Sequence, residues 1–132
     1  MKDETKAWFN FAEESLQAAR LLLGQNLYNP CLQDIQQCIE KSLKAILYEY
    51  AYSHRKTHSI SELIRLLADH QIVIPLSEDD CDLLDSIYLP SKYPLGGVLP
   101  YFEPDDALCQ QCLMLAEGVM HQVRKMLGVG KD

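Results

Sequence analysis

Five consecutive residues, His-Arg-Lys-Thr-His at 54–58, form the strongest candidate for anion binding in the chain. They precede Ser-Ile-Ser-Glu at 59–62, a sequence typical of the capping box that opens a helix. Backbone N–H groups at a helix start lack partners within the helix and attract anions. The pattern therefore predicts that Lys56, Thr57 and His58 bind a phosphate of a nucleotide or RNA. The alternative is a solvated loop whose cations balance nearby acidic residues.

Two lysines on the preceding predicted helix could extend this positive patch. Lys41 and Lys44 lie on the polar face of that helix, which runs directly into the basic segment. Lys44 also follows Glu40 by four residues, and such pairs ordinarily stabilise an exposed helix by a few tenths of a kcal/mol. A contribution to phosphate binding and a local ion pair are both consistent with this spacing.

A second candidate is the arginine and histidine of the segment Arg65-Leu-Leu-Ala-Asp-His70. Some metal-independent ribonucleases use this spacing, with the histidine as general base and the arginine stabilising phosphate charge. Five helical steps rotate a side chain by about 140°, so the two side chains diverge unless the helix ends between them. The simpler role for His70 is a cation that complements a helix C-terminus.

The sequence predicts neither a metal site nor a cofactor. Cys109 and Cys112 begin a turn inside a predicted helix, whereas a redox pair gains its reactivity at a helix N-terminus. Zinc needs four ligands, and no second cysteine pair or histidine pair supplies the remainder. Five acidic residues between 78 and 85 match no calcium-loop spacing, and the first three of them suit the first turn of a helix. These acids are Glu78, Asp79, Asp80, Asp82 and Asp85.

Composition limits the class of protein. The 132 residues are 48% hydrophobic, which predicts one compact domain over 1–132. A net charge of −7 repels phosphate backbones on average, so any nucleic-acid contact requires a local basic patch. The five cysteines have no framework spacing, and no apolar run approaches the roughly 20 residues of a membrane span. We expect a cytoplasmic protein with reduced thiols and no membrane contact.

Apolar periodicity predicts five helices and no strands, which places the chain in the all-α class. The first helix spans about 3–23 and ends at Gly24, and the second spans about 29–52. The third begins after Ser59, the fourth after Ser77 and the last near Pro104, with Gly128 as its end.

The predicted faces of the first two helices decide which residues are available to a ligand. The first helix is expected to bury Trp8, Phe11, Ala12, Leu16, Ala19, Leu22 and Leu23. The polar, exposed face of the second is expected to carry Gln33, Gln37, Glu40, Lys41, Lys44 and Tyr48. Four prolines and a Gly-Gly pair predict an irregular loop over 89–104. Within that loop, Tyr101 and Phe102 are candidates for a lid or for contact with a second chain.

Several segments, in this order along the chain, resemble the HEPN domain family. They read WFNFAEE at 8–14, AARLLL at 18–23, QQCIEKSLKA at 36–45, KTHS at 56–59 and SKYP at 91–94. The resemblance covers nearly the whole chain. It implies a five-helix up-and-down antiparallel bundle, usually a homodimer, often paired with a minimal nucleotidyltransferase in a toxin–antitoxin-like arrangement.

The resemblance also bears on catalysis. Ribonuclease members of the family carry an arginine and a histidine near the start of the fourth helix, and residues 76–100 here contain neither. Relatives also place an arginine before the tyrosine–proline pair, where this chain has Lys92, which lacks the bidentate fork. The resemblance thus implies a non-catalytic member, with Lys92 and Tyr93 as further phosphate contacts. The alternatives are an endoribonuclease toxin using Arg65 and His70, or a purely structural interaction bundle.

Overall fold

A computed structural model describes residues 1–52, 56–92 and 103–130, apart from the side chains of residues 89–92. The helices are α1 (Asp3–Gly24), α2 (Tyr28–Glu49), α3 (Ile60–Ala68), α4 (Glu78–Lys92) and α5 (Asp106–Leu127). The described ranges contain no strand, and the all-α, five-helix prediction is confirmed. None of these helices is both long and apolar enough to cross a bilayer.

The first two helices pack antiparallel across a short turn. The backbone N–H of Lys2 donates to Glu49 Oε1 at 3.0 Å, and Lys2 Nζ donates to the carbonyl of Tyr48 at 3.2 Å. The beginning of α1 therefore lies beside the end of α2. Helix α1 ends at Gly24, as predicted, and Asn26, with φ of 61°, makes the left-handed turn that leads into α2.

Helix α2 lies at the centre of the bundle, between α1, α4 and α5. Ion pairs Arg20–Glu117 and Arg124–Glu13 show that α5 runs antiparallel to α1. The shared core comprises Phe9, Ala12, Leu16, Cys31, Ile35, Ile39, Leu43, Ile46, Ile60, Leu63, Leu67, Leu84, Ile87, Cys112, Val119 and Val123. Because α1, α3, α4 and α5 all pack against α2, it exposes much less surface than a peripheral helix would.

Three local predictions are wrong. On α1, Phe9 is buried and Phe11 is 49% exposed, because the contacts with α2 and α5 cover a narrower stripe than the apolar pattern suggests. Helix α2 ends at Glu49 rather than near residue 52. The backbone of Ala51 is left-handed, with φ of 54°, and cannot continue the helix. Helix α4 continues to Lys92 through Pro90, whose fixed φ suits a helix and disrupts only the preceding turn. Residues 93–102 of the predicted loop, including Tyr101 and Phe102, lie outside the described residues.

Alanine substitutions at two glycines of α5 should change the stability of the protein in opposite directions. Gly118 lies on the exposed helix surface and Gly128 caps the helix with φ of 68°, and an added Cβ meets no atom within 4 Å at either position. Gly118→Ala should therefore stabilise the protein by about 0.5–1 kcal/mol through helix propensity. Gly128→Ala should destabilise it by about 1 kcal/mol through left-handed backbone strain. Urea unfolding measures both changes, and shifts of the same sign would contradict this account.

Candidate functional site

A buried carboxylate, that of Glu40 on α2, organises the residues of the candidate site. Its Oε2 accepts hydrogen bonds from Lys44 Nζ at 2.9 Å and Lys41 Nζ at 3.1 Å. Gln36 Nε2 donates to Oε1 at 3.2 Å, and His58 Nδ1 lies 3.2 Å from Oε2. We call these five residues the Glu40 cluster. It joins α2 to the segment before α3.

The cluster is far less exposed than the sequence suggested. The Glu40 side chain has no exposed surface, and those of Lys41 and Lys44 are only 13% and 8% exposed. The prediction that Glu40 and Lys44 lie on an exposed face is therefore wrong. The face is covered because α2 is central, with Trp8 of α1 and His58 lying over it. An ion pair of this kind is not the weak surface pair that its spacing alone predicts.

Aromatic rings line the cluster on two sides. Lys41 Nζ lies 5.1 Å from the ring centroid of Trp8 and 5.5 Å from that of Phe11, distances typical of cation–π contacts. The ring of His58, whose side chain is 56% exposed, stacks on Tyr88 of α4 with centroids 5.0 Å apart. Cations and exposed rings thus lie side by side at this surface.

The charges of the cluster settle the protonation state of its carboxylate. Burial acts to raise the pKa of Glu40, but the hydrogen bond from Lys44 and the charges of Lys41 and Lys44 outweigh it. The pKa of Glu40 therefore lies below its ordinary value of 4.5, and Glu40 is ionised at neutral pH. One negative charge faces two ammonium groups, which leaves the cluster with a net positive charge.

The backbone at the start of α3 is already occupied by another carboxylate. Asp85 of α4 accepts from the N–H groups of Ile60 at 2.6 Å and Ser61 at 3.2 Å, and from the Ser59 hydroxyl at 3.0 Å. The Ser59 hydroxyl in turn caps the N–H of Glu62 at 3.2 Å. The prediction that Ser59 caps the start of α3 is confirmed, whereas the Ser59 N–H donates to Thr57 Oγ1 rather than to the Glu62 carboxylate of a full capping box. The expectation of unpaired N–H groups is wrong, because a residue far along the chain supplies the anion.

The other predicted phosphate contacts differ in how available they are. Lys56 is exposed. The hydroxyl of Thr57 donates to Glu62 Oε2 at 3.1 Å and accepts from the Ser59 N–H at 3.1 Å, so it acts within the loop. The side chain of Lys92 and the whole of Tyr93, like residues 53–55, lie outside the described residues.

Arg65 and His70 point to different surroundings. Helix α3 ends at Ala68, between them, and the ring of His70 stacks on Tyr52 with centroids 3.5 Å apart. Arg65 lines a groove between α3 and α4 with Glu78 and Asp82, and among the described residues His70 is not part of that groove's wall. The two residues are not brought to one cleft within this chain.

The cysteines pack in the core. All five are free and buried, and burial raises the pKa of Cys109 and Cys112 to about 12. A reactive thiolate is therefore disfavoured at neutral pH. No group of three metal-ligating side chains occurs in the part of the chain that the structure describes.

Four site residues were missed by sequence reasoning. Gln36 could have been found from its four-residue spacing to Glu40, which continues the row to Lys44. Trp8, Tyr88 and Asp85 had no local signal, because each reaches the site from another helix.

The buried carboxylate gives a prediction for stability. Glu40→Gln removes the counter-charge of two largely buried ammonium groups and should lower the free energy of unfolding by about 3 kcal/mol at neutral pH. The folded-state pKa of Glu40 is depressed, so the contribution of its charge is complete above pH 4.5 and is lost as the pH falls through the folded-state value. The difference between wild type and variant should therefore shrink in acid.

Urea unfolding at neutral and acidic pH measures both effects. Glu117→Gln is the matched control, because the same substitution there affects a half-exposed ion pair and should cost less than about 1 kcal/mol. Equal losses in the two variants would show that burial of Glu40 has no special energetic role.

Comparison with known proteins agrees with the fold and with the sequence segments noted above. A relative from Methanocaldococcus jannaschii, named Putative toxin MJ1304, is 28% identical over 135 residues, covering 92% of this chain and 87% of the relative. The crystal structure of ST0689, an archaeal HEPN homologue, matches with a TM-score of 0.72 and 27% identity over 96% of this chain and 99% of its own. TT1696 from Thermus thermophilus matches with a TM-score of 0.72 and 25% identity over 94% and 98% of the two chains. The HEPN domain model matches residues 5–126, and the chain therefore belongs to the HEPN domain family.

Proposed function

We propose that this HEPN protein is toxin-like and binds the phosphates of RNA or a nucleotide at the Glu40 cluster, without cleaving RNA by itself. The observation that carries the proposal is the excess of ammonium donors over acceptors. Lys41 and Lys44 share one carboxylate oxygen of Glu40, the only hydrogen-bond acceptor either has among the described residues. An ammonium group has three donors, so further donors remain for an anion.

The surroundings of the two lysines favour a nucleic-acid phosphate over a bare ion. Phe11 is half-exposed beside Lys41, and exposed aromatic rings next to cations are the usual contacts for unstacked bases. Lys56 is exposed on the segment that leads to His58. A single strand could therefore place a phosphate on the lysines and a base against the Phe11 ring.

A separate observation supports a protein that does not cleave RNA by itself. Within the described residues, Arg65 lines the groove between α3 and α4 and His70 stacks on Tyr52, which supports a protein without a general base and an arginine acting on one scissile bond. The toxin-like role is supported by family membership and by the name of the Methanocaldococcus jannaschii relative.

A homodimer and a minimal nucleotidyltransferase partner, both implied by the family resemblance, complete the proposal. Light scattering on the purified chain measures the first. Co-purification with a co-expressed nucleotidyltransferase measures the second.

The RNA-binding proposal predicts a charge-dependent loss of affinity. Lys41→Gln keeps a hydrogen-bond donor for Glu40 but removes the charge, and should weaken binding of a short labelled single-stranded RNA about tenfold. The slope of log affinity against log salt should fall in magnitude by about 0.7, the value for one lost contact with a single strand. Fluorescence anisotropy over a salt series measures both quantities.

Lys6→Gln is the matched control, because Lys6 is exposed two residues from Trp8 and so points away from the cluster. Equal effects of the two substitutions, or no binding by the wild type, would contradict the proposal and favour a structural interaction bundle. Cleavage of the RNA without added metal, lost in Arg65→Ala and His70→Ala variants, would show an endoribonuclease instead.

A further inference from the structure

A second polar cleft lies between α1 and α5, and shares no lining residue with the Glu40 cluster. Its volume is about 660 Å³, within the usual range for small-molecule sites. The described residues that line it are Leu16, Arg20, Glu117, His121, Arg124, Lys125, Val129 and Gly130. Among the described residues, three permanent cations and one acid line it, in a chain whose overall charge is −7.

The polar groups of α5 face the cleft as a regular row. Glu117, His121 and Lys125 follow one another at four-residue intervals, which places them on one side of the helix. His121 and Lys125 are exposed, and neither has an ion pair with any described residue. Arg20 reaches the same cleft from α1. Donors from two helices therefore converge on one space.

The two arginines of the cleft are held very differently. Arg124 makes a bidentate pair with Glu13, at 3.0 and 2.6 Å, and its side chain is 12% exposed. Arg20 directs both Nε and Nη2 to one oxygen of Glu117, at 3.2 and 2.9 Å, and both side chains are 43% exposed. A half-exposed pair of this kind contributes little to stability, so an incoming anion can replace Glu117.

Apolar groups complete the cleft. Leu16 of α1, which is only 1% exposed, lies at the base of the cleft, and Val129 forms a wall beyond the end of α5. Val129 is held there because its N–H donates to the carbonyl of Arg124 at 3.0 Å, after the left-handed Gly128. The cleft therefore offers cationic donors on one side and an apolar surface on the other.

We propose that this cleft binds a phosphate monoester, with Arg20, His121 and Lys125 as donors and the organic part against Val129. A phosphate monoester carries a charge of about −1.5 to −2 at pH 7, whereas a backbone phosphodiester carries −1. With Glu117 displaced, Arg20 and Lys125 provide two positive charges that match the monoester. The ligand is either a free mononucleotide or the 5′-phosphorylated end of an RNA. This inference does not depend on the proposed function.

Calorimetric titration with AMP, and with adenosine as the uncharged counterpart, tests the proposal. AMP should bind at least tenfold more tightly than adenosine, because only AMP presents the phosphate. Arg20→Gln and Lys125→Gln should each weaken AMP binding about tenfold, and Lys6→Gln should not change it. Glu117→Gln should strengthen AMP binding, because it releases Arg20 and removes a competing anion.

The gain of affinity in Glu117→Gln separates a ligand site from a merely structural ion pair, which would give no gain. All four positions are exposed, and circular dichroism confirms that each variant is folded. The proposal is overturned if AMP does not bind, or if it binds wild type, Arg20→Gln and Lys125→Gln alike. A 5′-phosphorylated trinucleotide that binds as AMP does identifies an RNA end, and one that binds tenfold more weakly identifies a free mononucleotide.

Discussion

An ionised carboxylate without exposed surface is the constraint on which the candidate site depends. Removing Glu40 from water costs several kcal/mol, and only the charges of Lys41 and Lys44 and its hydrogen bonds offset that cost. The lysines are therefore fixed by the fold rather than by a ligand. Trp8 on α1 and His58 before α3 must also take their places, since they cover the cluster. The interaction thus ties the packing of α1 and α2 to the geometry of the site.

The parts of the structure that the sequence predicted are those set by local signals. The helices, the Ser59 cap and the Gly128 end follow from apolar periodicity and capping residues within a few positions. Burial on α2 was mispredicted because Glu40 and Lys44 have the same spacing whether or not another helix covers them. Asp85 lies more than twenty residues from the N–H groups that it caps, so no local pattern could identify it.

Similar ion pairs have different roles in this molecule because their burial differs. The Glu40 carboxylate is held among partly shielded lysines, where water competes weakly and replacement of a partner is costly. The Arg20–Glu117 pair is open to water, so its partners can be exchanged at little cost. The buried Glu40 pairs fix the positions of the lysine side chains, whereas the exposed Arg20–Glu117 pair leaves Arg20 available to a ligand. The N···O distance is 2.9 Å in both the Lys44–Glu40 and the Arg20–Glu117 pair, so distance alone does not distinguish them, and the difference arises from how far the surrounding helices bury each pair.

The carboxylates of Asp85 and Glu40 also determine which hydrogen-bond donors near α3 are available to an anionic ligand. Asp85 accepts from the N–H groups at the helix start, where a phosphate would otherwise gain backbone hydrogen bonds and the favourable end of the helix dipole. Glu40 takes one donor from each lysine and leaves the others. A phosphate is thus limited to side-chain ammonium groups and exposed rings. Because these contacts depend on charge, binding here must be more sensitive to salt than binding to a helix N-terminus of neutral amides.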